Sequence, residues 1–356
     1  MGLSPAKTNR HSPKFWAVLA SLLPFFVTIT LTLGDPAGIG SEIILRAFSS
    51  YRPRCPVRVV GSVAVLVATY ERLRGLGQAV ADPAVLDVVD VPTPEPVQPG
   101  QPSALTGALS VQYLQTALAL GCQALVTAPI AKAYWQQAGY AFPGQTEFLA
   151  QATGAHPTAM AFFARSPHTG WVLRTVLATT HIPLAQVPSC ITPALLTAKL
   201  TLLVASLRQD FGLERLRIAL AGLNPHSGEQ GHLGREERDI LKPWMQSMRA
   251  QFPQVELQGP VPPDTLWVAP AQAWWHRDVP SPWDACIALY HDQGLIPVKA
   301  LAFDQAVNTT LGLPFVRTSP DHGTAFDIAG QGKANPTSFI SAWQWAEWLW
   351  ERRFGA

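Results

Sequence analysis

The sequence contains few charged residues. Lysine, arginine, aspartate and glutamate make up 14% of its 356 residues, against roughly 25% in an average soluble domain. The 26 basic and 24 acidic residues nearly balance, with a net charge of +2 and no long basic run, so nucleic acid is not an expected partner. Hydrophobic residues make up 48% of the chain, which excludes an intrinsically disordered protein. We therefore expect a compact globular protein.

Cysteine is also scarce. The four cysteines (Cys55, Cys122, Cys190 and Cys286) lie far apart and form no C-x-x-C pair. This spacing fits neither a disulfide framework nor a local zinc motif. We expect reduced, mostly buried thiols and a cytoplasmic protein. The chain also lacks the G-x-G-x-x-G pattern of a Rossmann dinucleotide site.

The N-terminal region allows two interpretations. Three basic residues precede an uncharged run at residues 15–33, whose length approaches that of a membrane-spanning helix. Pro24 interrupts this run, and apolar residues alternate with threonine over residues 27–33. Such alternation is typical of a β-strand. We predict that residues 27–33 form the first strand and that residues 1–24 are an extension, with no membrane partner; a membrane anchor is the alternative.

The rest of the chain alternates between apolar runs and helical spacing. Strands are predicted at residues 57–60, 85–89, 124–127, 160–163, 172–177, 218–223 and 286–290. Helices are predicted at residues 41–48, 63–76, 105–120, 193–207, 235–250 and 338–352. Strands separated by helices indicate parallel βαβ units. The predicted class is α/β, in which ligands bind beyond the carboxyl ends of strands.

Two turns after predicted strands are candidate anion sites. Residues 34–40 (GDPAGIG) lead into a helix, whose N-terminal amides attract anions; an ordinary strand-to-helix turn is the alternative. Lys132 follows the strand at 124–127, and Gln145 and Thr146 follow a second turn. A lysine and a hydroxyl suit phosphate or carboxylate. Alternatively, Lys132 is solvated and Thr146 is a helix cap.

Three histidines follow apolar runs. His181, His226 and His291 each come at or just beyond the end of such a run, so all three side chains can enter one crevice. Three neutral imidazoles with an open position suit a catalytic divalent metal. Their wide spacing matches no local motif, and each taken alone is equally explained as a hydrogen-bonded structural residue.

The last candidate cluster spans residues 307–336. It is rich in glycine and short polar residues, a composition that suits a nucleotide-binding turn. Asp327 is placed to accept hydrogen bonds from ribose hydroxyls and to repel a 2′-phosphate, which favours NAD over NADP. The predicted cofactor-binding residues are Gly323, Thr324, Asp327, Gly330 and Asn335.

Together, these clusters resemble the 4-hydroxythreonine-4-phosphate dehydrogenase family of vitamin B6 biosynthesis, over nearly all of the chain beyond the N-terminal extension. The most specific matches are NPHSGE at 224–229, YHDQGL at 290–295 and RTSPDHGTA at 317–325. The resemblance implies a two-domain fold like that of isocitrate and isopropylmalate dehydrogenases, with mostly parallel sheets, flanking helices and a cleft. It also implies a nucleotide-binding domain at 25–140 plus 305–356, and a metal, substrate and dimerisation domain at 141–304.

The resemblance also assigns site residues. His181, His226 and His291 match the metal-ligand positions, one metal (Zn, Co or Mg) per subunit, at a homodimer interface to which the partner subunit contributes the third histidine, taken as His291. The substrate-binding positions correspond to Gln145, Thr146, Lys299, Asn308 and Arg317. The family usually has histidine where Gln145 stands, and an amide can bond to a substrate but cannot transfer a proton.

The activity implied is oxidation of 4-phosphooxy-L-threonine by NAD (NADP being possible), followed by decarboxylation. Lys299 and Asp292 are the candidate general bases, although Asp292 alternatively orients a histidine. One rival is a related dehydrogenase of phosphorylated threonate or erythronate, which Gln145 keeps open. A phosphate acyltransferase and an inactive membrane-tethered relative are further alternatives.

Overall fold

The computed structural model describes residues 28–355, in which the strands form a single mixed β-sheet with helices on its faces. Its order is β3-β2-β1-β4-β11-β10-β5-β6-β9-β7-β8. The strands are β1 (Ile29–Thr32), β2 (Val57–Gly61), β3 (Asp87–Asp90), β4 (Ala124–Thr127), β5 (Ala159–Arg165), β6 (Val172–Leu177), β7 (Leu216–Ala221), β8 (Val255–Val261), β9 (Ala285–Ala288), β10 (Val307–Leu311) and β11 (Val316–Pro320). The predicted α/β class with a mostly parallel sheet is confirmed.

Two parallel halves meet at antiparallel strands in the middle of the sheet. β3, β2, β1, β4 and β11 are mutually parallel, as are β6, β9, β7 and β8. Between them, β10 pairs antiparallel with both β11 and β5, and β5 pairs antiparallel with β6. The two halves therefore run in opposite directions. All first-half strands and β10 come from the predicted 25–140 and 305–356 segments; the domain boundaries stay a prediction.

Helices cover the sheet and provide most of the long connections. The α-helices are α1 (Gly40–Ser50), α2 (Val63–Gly75), α3 (Ala104–Ala119), α4 (Lys132–Gln137), α5 (Gln145–Thr153), α6 (Val187–Cys190), α7 (Pro193–Gln209), α8 (Lys242–Gln251), α9 (Pro263–Leu266), α10 (Val268–Trp275), α11 (His291–Ala302) and α12 (Thr337–Phe354). Short 3₁₀ segments lie at Pro83–Val85, Leu184–Gln186 and Pro225–Gly231, and a π-helical segment at Glu237–Leu241 precedes α8.

The tryptophan-rich helix α12 is a core element. Trp343 is fully buried, with the rings of Phe48 and Tyr51 edge-on to it at 4.8 and 5.2 Å. Trp345 is also buried and contacts Phe163 of β5. These tryptophans are packing residues, which contribute large buried apolar areas. The helix thereby fixes the central strands that carry several of the predicted site residues.

The N-terminal strand is observed at Ile29–Thr32, within the predicted range. The predicted extension at 1–24 lies outside the described residues. Within residues 28–355, no single helix combines the length and apolar composition required to cross a membrane. One bent pair, Leu184–Cys190 with Pro193–Gln209 at 89°, satisfies those criteria only when its two helices are joined.

Candidate active site

Arg317 is a buried cation at the centre of the sheet. It lies on β11, is 4% exposed, and donates hydrogen bonds to Thr127 Oγ1 at 2.9 Å and Thr310 Oγ1 at 3.2 Å. Burial lowers the pKa of its guanidinium to about 10, an effect that Glu147 partly offsets. Among residues 28–355 no carboxylate forms an ion pair with it. A buried guanidinium with neutral partners is suited to bind an anionic ligand.

Polar side chains around Arg317 retain unused hydrogen-bonding capacity. Thr146, in the first turn of α5, has its hydroxyl 3.3 Å from that of Thr310. Gln145 donates its amide to the carbonyl of Ala128 at 3.1 Å, while its Oε1 is buried with no hydrogen-bond partner among the described residues. The same holds for Asn308 Oδ1. Buried polar atoms are normally paired, so these two acceptors fit a ligand that carries donor groups.

His181 and His291 lie together in one chain. They follow the adjacent parallel strands β6 and β9, and their ring centroids are 5.5 Å apart. Two imidazoles bonded to one tetrahedral ion at about 2.0–2.1 Å have centroids about 5 Å apart, so the pair fits a shared metal. Partial burial of His181, together with Lys132 and His291, lowers the pKa of its ring. A lowered pKa favours the neutral imidazole, the form that binds metal.

Asp292 orients His291. Its Oδ1 lies 2.7 Å from His291 Nδ1, so Nδ1–H donates to the carboxylate and Nε2 is left available. The Asp292 side chain is 71% exposed. This contact supports the orienting interpretation of Asp292 over that of general base.

His226 is separate from the other two histidines. Within residues 28–355 no group of three or more histidine, cysteine, aspartate or glutamate side chains is arranged to hold a metal ion. His291 lies beside His181 of its own chain, with the two ring centroids 5.5 Å apart, and which subunit supplies the third histidine stays a prediction. His226 is exposed.

The turn that carries His226 has an uncommon backbone. Residues 226–230 all have positive φ, including the non-glycine residues His226 (51°), Ser227 (51°), Glu229 (40°) and Gln230 (57°). The left-handed conformation costs roughly 1–2 kcal/mol for each such residue. Contacts elsewhere in the chain must therefore stabilise this turn.

Lys299 is held by Asp321, which is not among the predicted site residues. Its Nζ lies 3.1 Å from Oδ2 and 3.5 Å from the backbone oxygen of Asp321, which directly follows β11. Burial raises the pKa of Asp321, against the opposing effects of Lys299 and His291. Asp321 therefore belongs to the candidate site, and its position just beyond a strand end was the available signal.

The predicted nucleotide loop is fastened to the turn at 34–40. Ile39 N–H donates to the carbonyl of Thr324 at 3.0 Å, and a Cβ at Gly38 would lie 2.9 Å from that oxygen. In α1, Glu42 accepts from the N–H of Ala334 at 3.0 Å and Arg46 donates to the carbonyl of Gly332 at 2.9 Å. The turn at 34–40 and the helix that follows it therefore both support the loop.

The five predicted cofactor residues differ in their surroundings. Asp327 is exposed and Gly323 has open space around it, so both are accessible to a nucleotide. Gly330 has φ +73° and packs on Pro99, which is a structural reason for glycine. Asn335 Oδ1 accepts from the N–H of Thr337 at 3.0 Å and so stabilises the start of α12.

Fold and candidate site together describe an α/β protein in which a buried guanidinium and polar side chains are arranged to suit a small anionic ligand. The family described as "Pyridoxal phosphate biosynthetic protein PdxA" matches residues 53–346. The 4-hydroxythreonine-4-phosphate dehydrogenase of Thermosynechococcus vestitus is 56% identical over 330 residues, covering 91% of this chain and 97% of the relative. That of a Synechocystis strain is 54% identical over 335 residues, covering 91% and 96%.

A solved structure gives the same result. The crystal structure of 4-hydroxythreonine-4-phosphate dehydrogenase from Klebsiella pneumoniae superposes with a TM-score of 0.76 at 36% identity, covering 92% of this chain and 98% of the other. The chain therefore belongs to the PdxA family of pyridoxal phosphate biosynthetic proteins. The family predicted from sequence is confirmed, and with it the class of oxidoreductase in pyridoxine biosynthesis.

Proposed function

We propose that this protein oxidises 4-phosphooxy-L-threonine with NAD to 2-amino-3-oxo-4-phosphooxybutanoate, which loses CO2 to give 3-amino-2-oxopropyl phosphate. The observation that carries the proposal is Arg317, a buried guanidinium without a carboxylate partner among the described residues. The names of the relatives at more than 50% identity support the same substrate.

Substrate binding is assigned to the residues around Arg317. Arg317 and Lys299 supply positive charge for the phosphate and carboxylate groups. The Thr146 hydroxyl, together with the N-terminal amides of α5, adds donors for an anion. The unpaired oxygens of Gln145 and Asn308 accept from the ammonium and hydroxyl groups of the substrate.

The metal ligands are His181 and His291 of one subunit and His226 of the partner subunit in a homodimer. A bound Zn, Co or Mg ion supplies Lewis-acid polarisation of the substrate oxygen that is oxidised. Asp292 keeps the His291 ring in the tautomer that presents Nε2.

Proton transfer is assigned to Lys299. Its contact with Asp321 at 3.1 Å fixes the position of Nζ, and an ammonium held there is suited to donate a proton in the step that follows decarboxylation. NAD supplies the hydride acceptor and is bound by the loop that contains Gly323, Thr324 and Asp327. The exposed carboxylate of Asp327 favours NAD over NADP. We also propose that the protein is cytoplasmic and that it divides into the two domains predicted from the sequence.

A panel of substrates tests the assignment. The purified full chain, supplied with NAD and Zn, Co or Mg, is incubated with 4-phosphooxy-L-threonine, threonate 4-phosphate or erythronate 4-phosphate, and absorbance is followed at 340 nm. We expect NADH formation with 4-phosphooxy-L-threonine above the other two. Faster turnover of either sugar-acid phosphate would favour the related dehydrogenase. Absence of NADH with all three, alongside acyl transfer to phosphate, would favour the acyltransferase.

A further inference from the structure

The left-handed turn at residues 226–230 is supported by one buried carboxylate. Glu237 is 1% exposed, and it is the first residue of the π-helical segment Glu237–Leu241. Its Oε1 accepts from the backbone N–H groups of Leu223 and Asn224, both at 2.7 Å, and its Oε2 accepts from Asn224 Nδ2 at 2.9 Å. Three donors from the segment that leads into the turn therefore meet one side chain.

The same carboxylate contacts the middle of the turn. A Cβ at Gly228 would lie 2.7 Å from Glu237 Oε2, so only glycine fits there, and the φ of +77° has the same requirement. The carbonyl of Asn224 accepts from the N–H of Ser227 at 3.0 Å. Glu237 thus holds Asn224, whose carbonyl accepts from the turn, and its carboxylate also lies against Gly228 in the middle of the turn.

No other role for Glu237 is evident among the described residues. It forms no ion pair there, and its hydrogen bonds all go to residues 223 and 224. A buried carboxylate without a cation is retained only when hydrogen bonds compensate its desolvation. The π segment is also informative, because such irregularities often occur at functional sites.

We propose that Glu237 is a positioning residue for the metal site: it holds the left-handed turn so that His226 projects from its own subunit as a ligand for the neighbouring one. This inference rests on the proposed function, in which His226 completes the site formed by His181 and His291. The carboxylate of Glu237 bonds to residues 223 and 224, so it acts on the metal site through the turn. Residues that orient metal ligands typically change metal affinity by about tenfold to a hundredfold when they are removed.

The test is a Co²⁺ titration of the full-length metal-free protein, followed by cobalt absorption, with circular dichroism and sedimentation reporting fold and oligomeric state. The variants are Glu237→Ala, Glu237→Gln, His226→Ala and the double variant Glu237→Ala/His226→Ala. Asp239→Asn is the matched control, because Asp239 lies in the same π segment, is exposed, and its carboxylate accepts hydrogen bonds from Arg238 alone among the described residues.

We expect His226→Ala and Glu237→Ala each to weaken Co²⁺ binding, the latter by at least about tenfold, with Asp239→Asn unchanged. Glu237→Gln, which keeps one acceptor oxygen for the two backbone donors, should recover part of the loss. In the His226→Ala background, Glu237→Ala should have no further effect, because it acts through that histidine. If Glu237 were merely structural, Glu237→Ala would lower stability, and its effect on Co²⁺ binding would not depend on whether His226 is present.

Two results would overturn the inference. One is a folded Glu237→Ala variant with wild-type Co²⁺ affinity while His226→Ala binds weakly; the other is a full effect of Glu237→Ala in the double variant. If Glu237→Ala does not fold, Glu237→Gln decides: reduced affinity supports the inference, and wild-type affinity contradicts it. If His226→Ala itself binds Co²⁺ normally, the proposed metal site is wrong, and the role of Glu237 falls with it.

Discussion

Asp35, in the turn after β1, should make the free energy of unfolding depend on pH. It is fully buried, and its Oδ1 accepts from the N–H of Ala37 at 3.0 Å, while Oδ2 has no hydrogen-bond partner within residues 28–355. Burial raises the pKa of its carboxyl from 3.8 to about 6, although the contacts with Ala37 and Thr106 act in the opposite direction. The folded chain therefore favours the protonated carboxyl.

The sign of the effect follows from that preference. Below the ordinary pKa the carboxyl is protonated in both the folded and the unfolded chain, so its titration costs nothing. As the pH rises from 3.8 to about 6, the unfolded chain ionises this carboxyl while the folded chain still holds it protonated, so the free energy of unfolding decreases; above about 6 both are ionised and the loss levels off. At about 1.4 kcal/mol per pH unit, the cost approaches about 3 kcal/mol above neutrality and is about half of that at pH 5.

Asp35→Asn should remove this cost. Asparagine keeps an oxygen for the Ala37 N–H and places its amide beside the Thr106 hydroxyl. With an unfolding entropy of about 2.1 cal/mol/K per residue, a gain of about 3 kcal/mol raises the Tm by about 4 °C at pH 8 and by about half as much at pH 5. Scanning calorimetry at the two pH values measures both shifts.

The exposed Asp304 supplies the control, since Asp304→Asn should leave the Tm unchanged at both pH values. An Asp35→Asn variant that is destabilised at pH 8, or whose Tm shift is the same at pH 5 and pH 8, would refute the argument that burial of the charge governs Asp35.

Two predictions concern activity. His226→Ala should abolish NADH formation while circular dichroism stays native, because the residue is exposed and forms no part of the core; near-normal turnover with bound metal would remove it from the ligand set. Arg317→Lys should lower kcat/KM by about ten- to a hundredfold, because a lysine cannot contact Thr127, Thr310 and a substrate anion together and loses about 1.5–3 kcal/mol of charged hydrogen bonding. Steady-state kinetics at 340 nm with a thermal melt measures this, and an unchanged kcat/KM would show that Arg317 does not contact substrate.

Regular apolar patterns made most of the fold predictable. The strands at Ala124–Thr127 and Val172–Leu177 occur at the predicted residues, because apolar runs flanked by turns leave few alternatives. The region from residue 307 onward was interpreted as a glycine-rich nucleotide turn, yet it begins with strands β10 and β11. Their threonine, asparagine and arginine side chains lie in the candidate site. Because these strands are polar, they lack the apolar run by which a buried strand is predicted from sequence.

The helix α11 was not predicted for a related reason. It contains Gly294 and Pro297, two residues that normally interrupt helices. Gly294 is accommodated because a Cβ there would lie 3.0 Å from Ala288 of β9, so the helix packs closely on the sheet. Tertiary packing, which the sequence pattern does not record, outweighs local propensity here.

The arrangement of the histidines was predictable only in part. The sequence indicated that each follows an apolar run, but not that β6 and β9 are neighbours, which brings His181 and His291 together. Nor did it indicate the left-handed turn at His226, since four of the five residues involved are not glycine. We attribute that geometry to the buried carboxylate of Glu237, a tertiary contact that the sequence pattern does not reveal.

Because His181 and His291 are adjacent and His226 stands apart, subunits of the proposed dimer that carry different defects should be able to complement each other. A subunit lacking His181 still offers His226 outward, and a subunit lacking His226 still carries the pair. Two inactive parents, one with each defect, should therefore complement each other when unfolded and refolded as a mixture, regenerating one working site in every hybrid. A parent that lacks His181 and a parent that lacks His291 should not complement each other, because every site in their hybrid lacks one member of the pair.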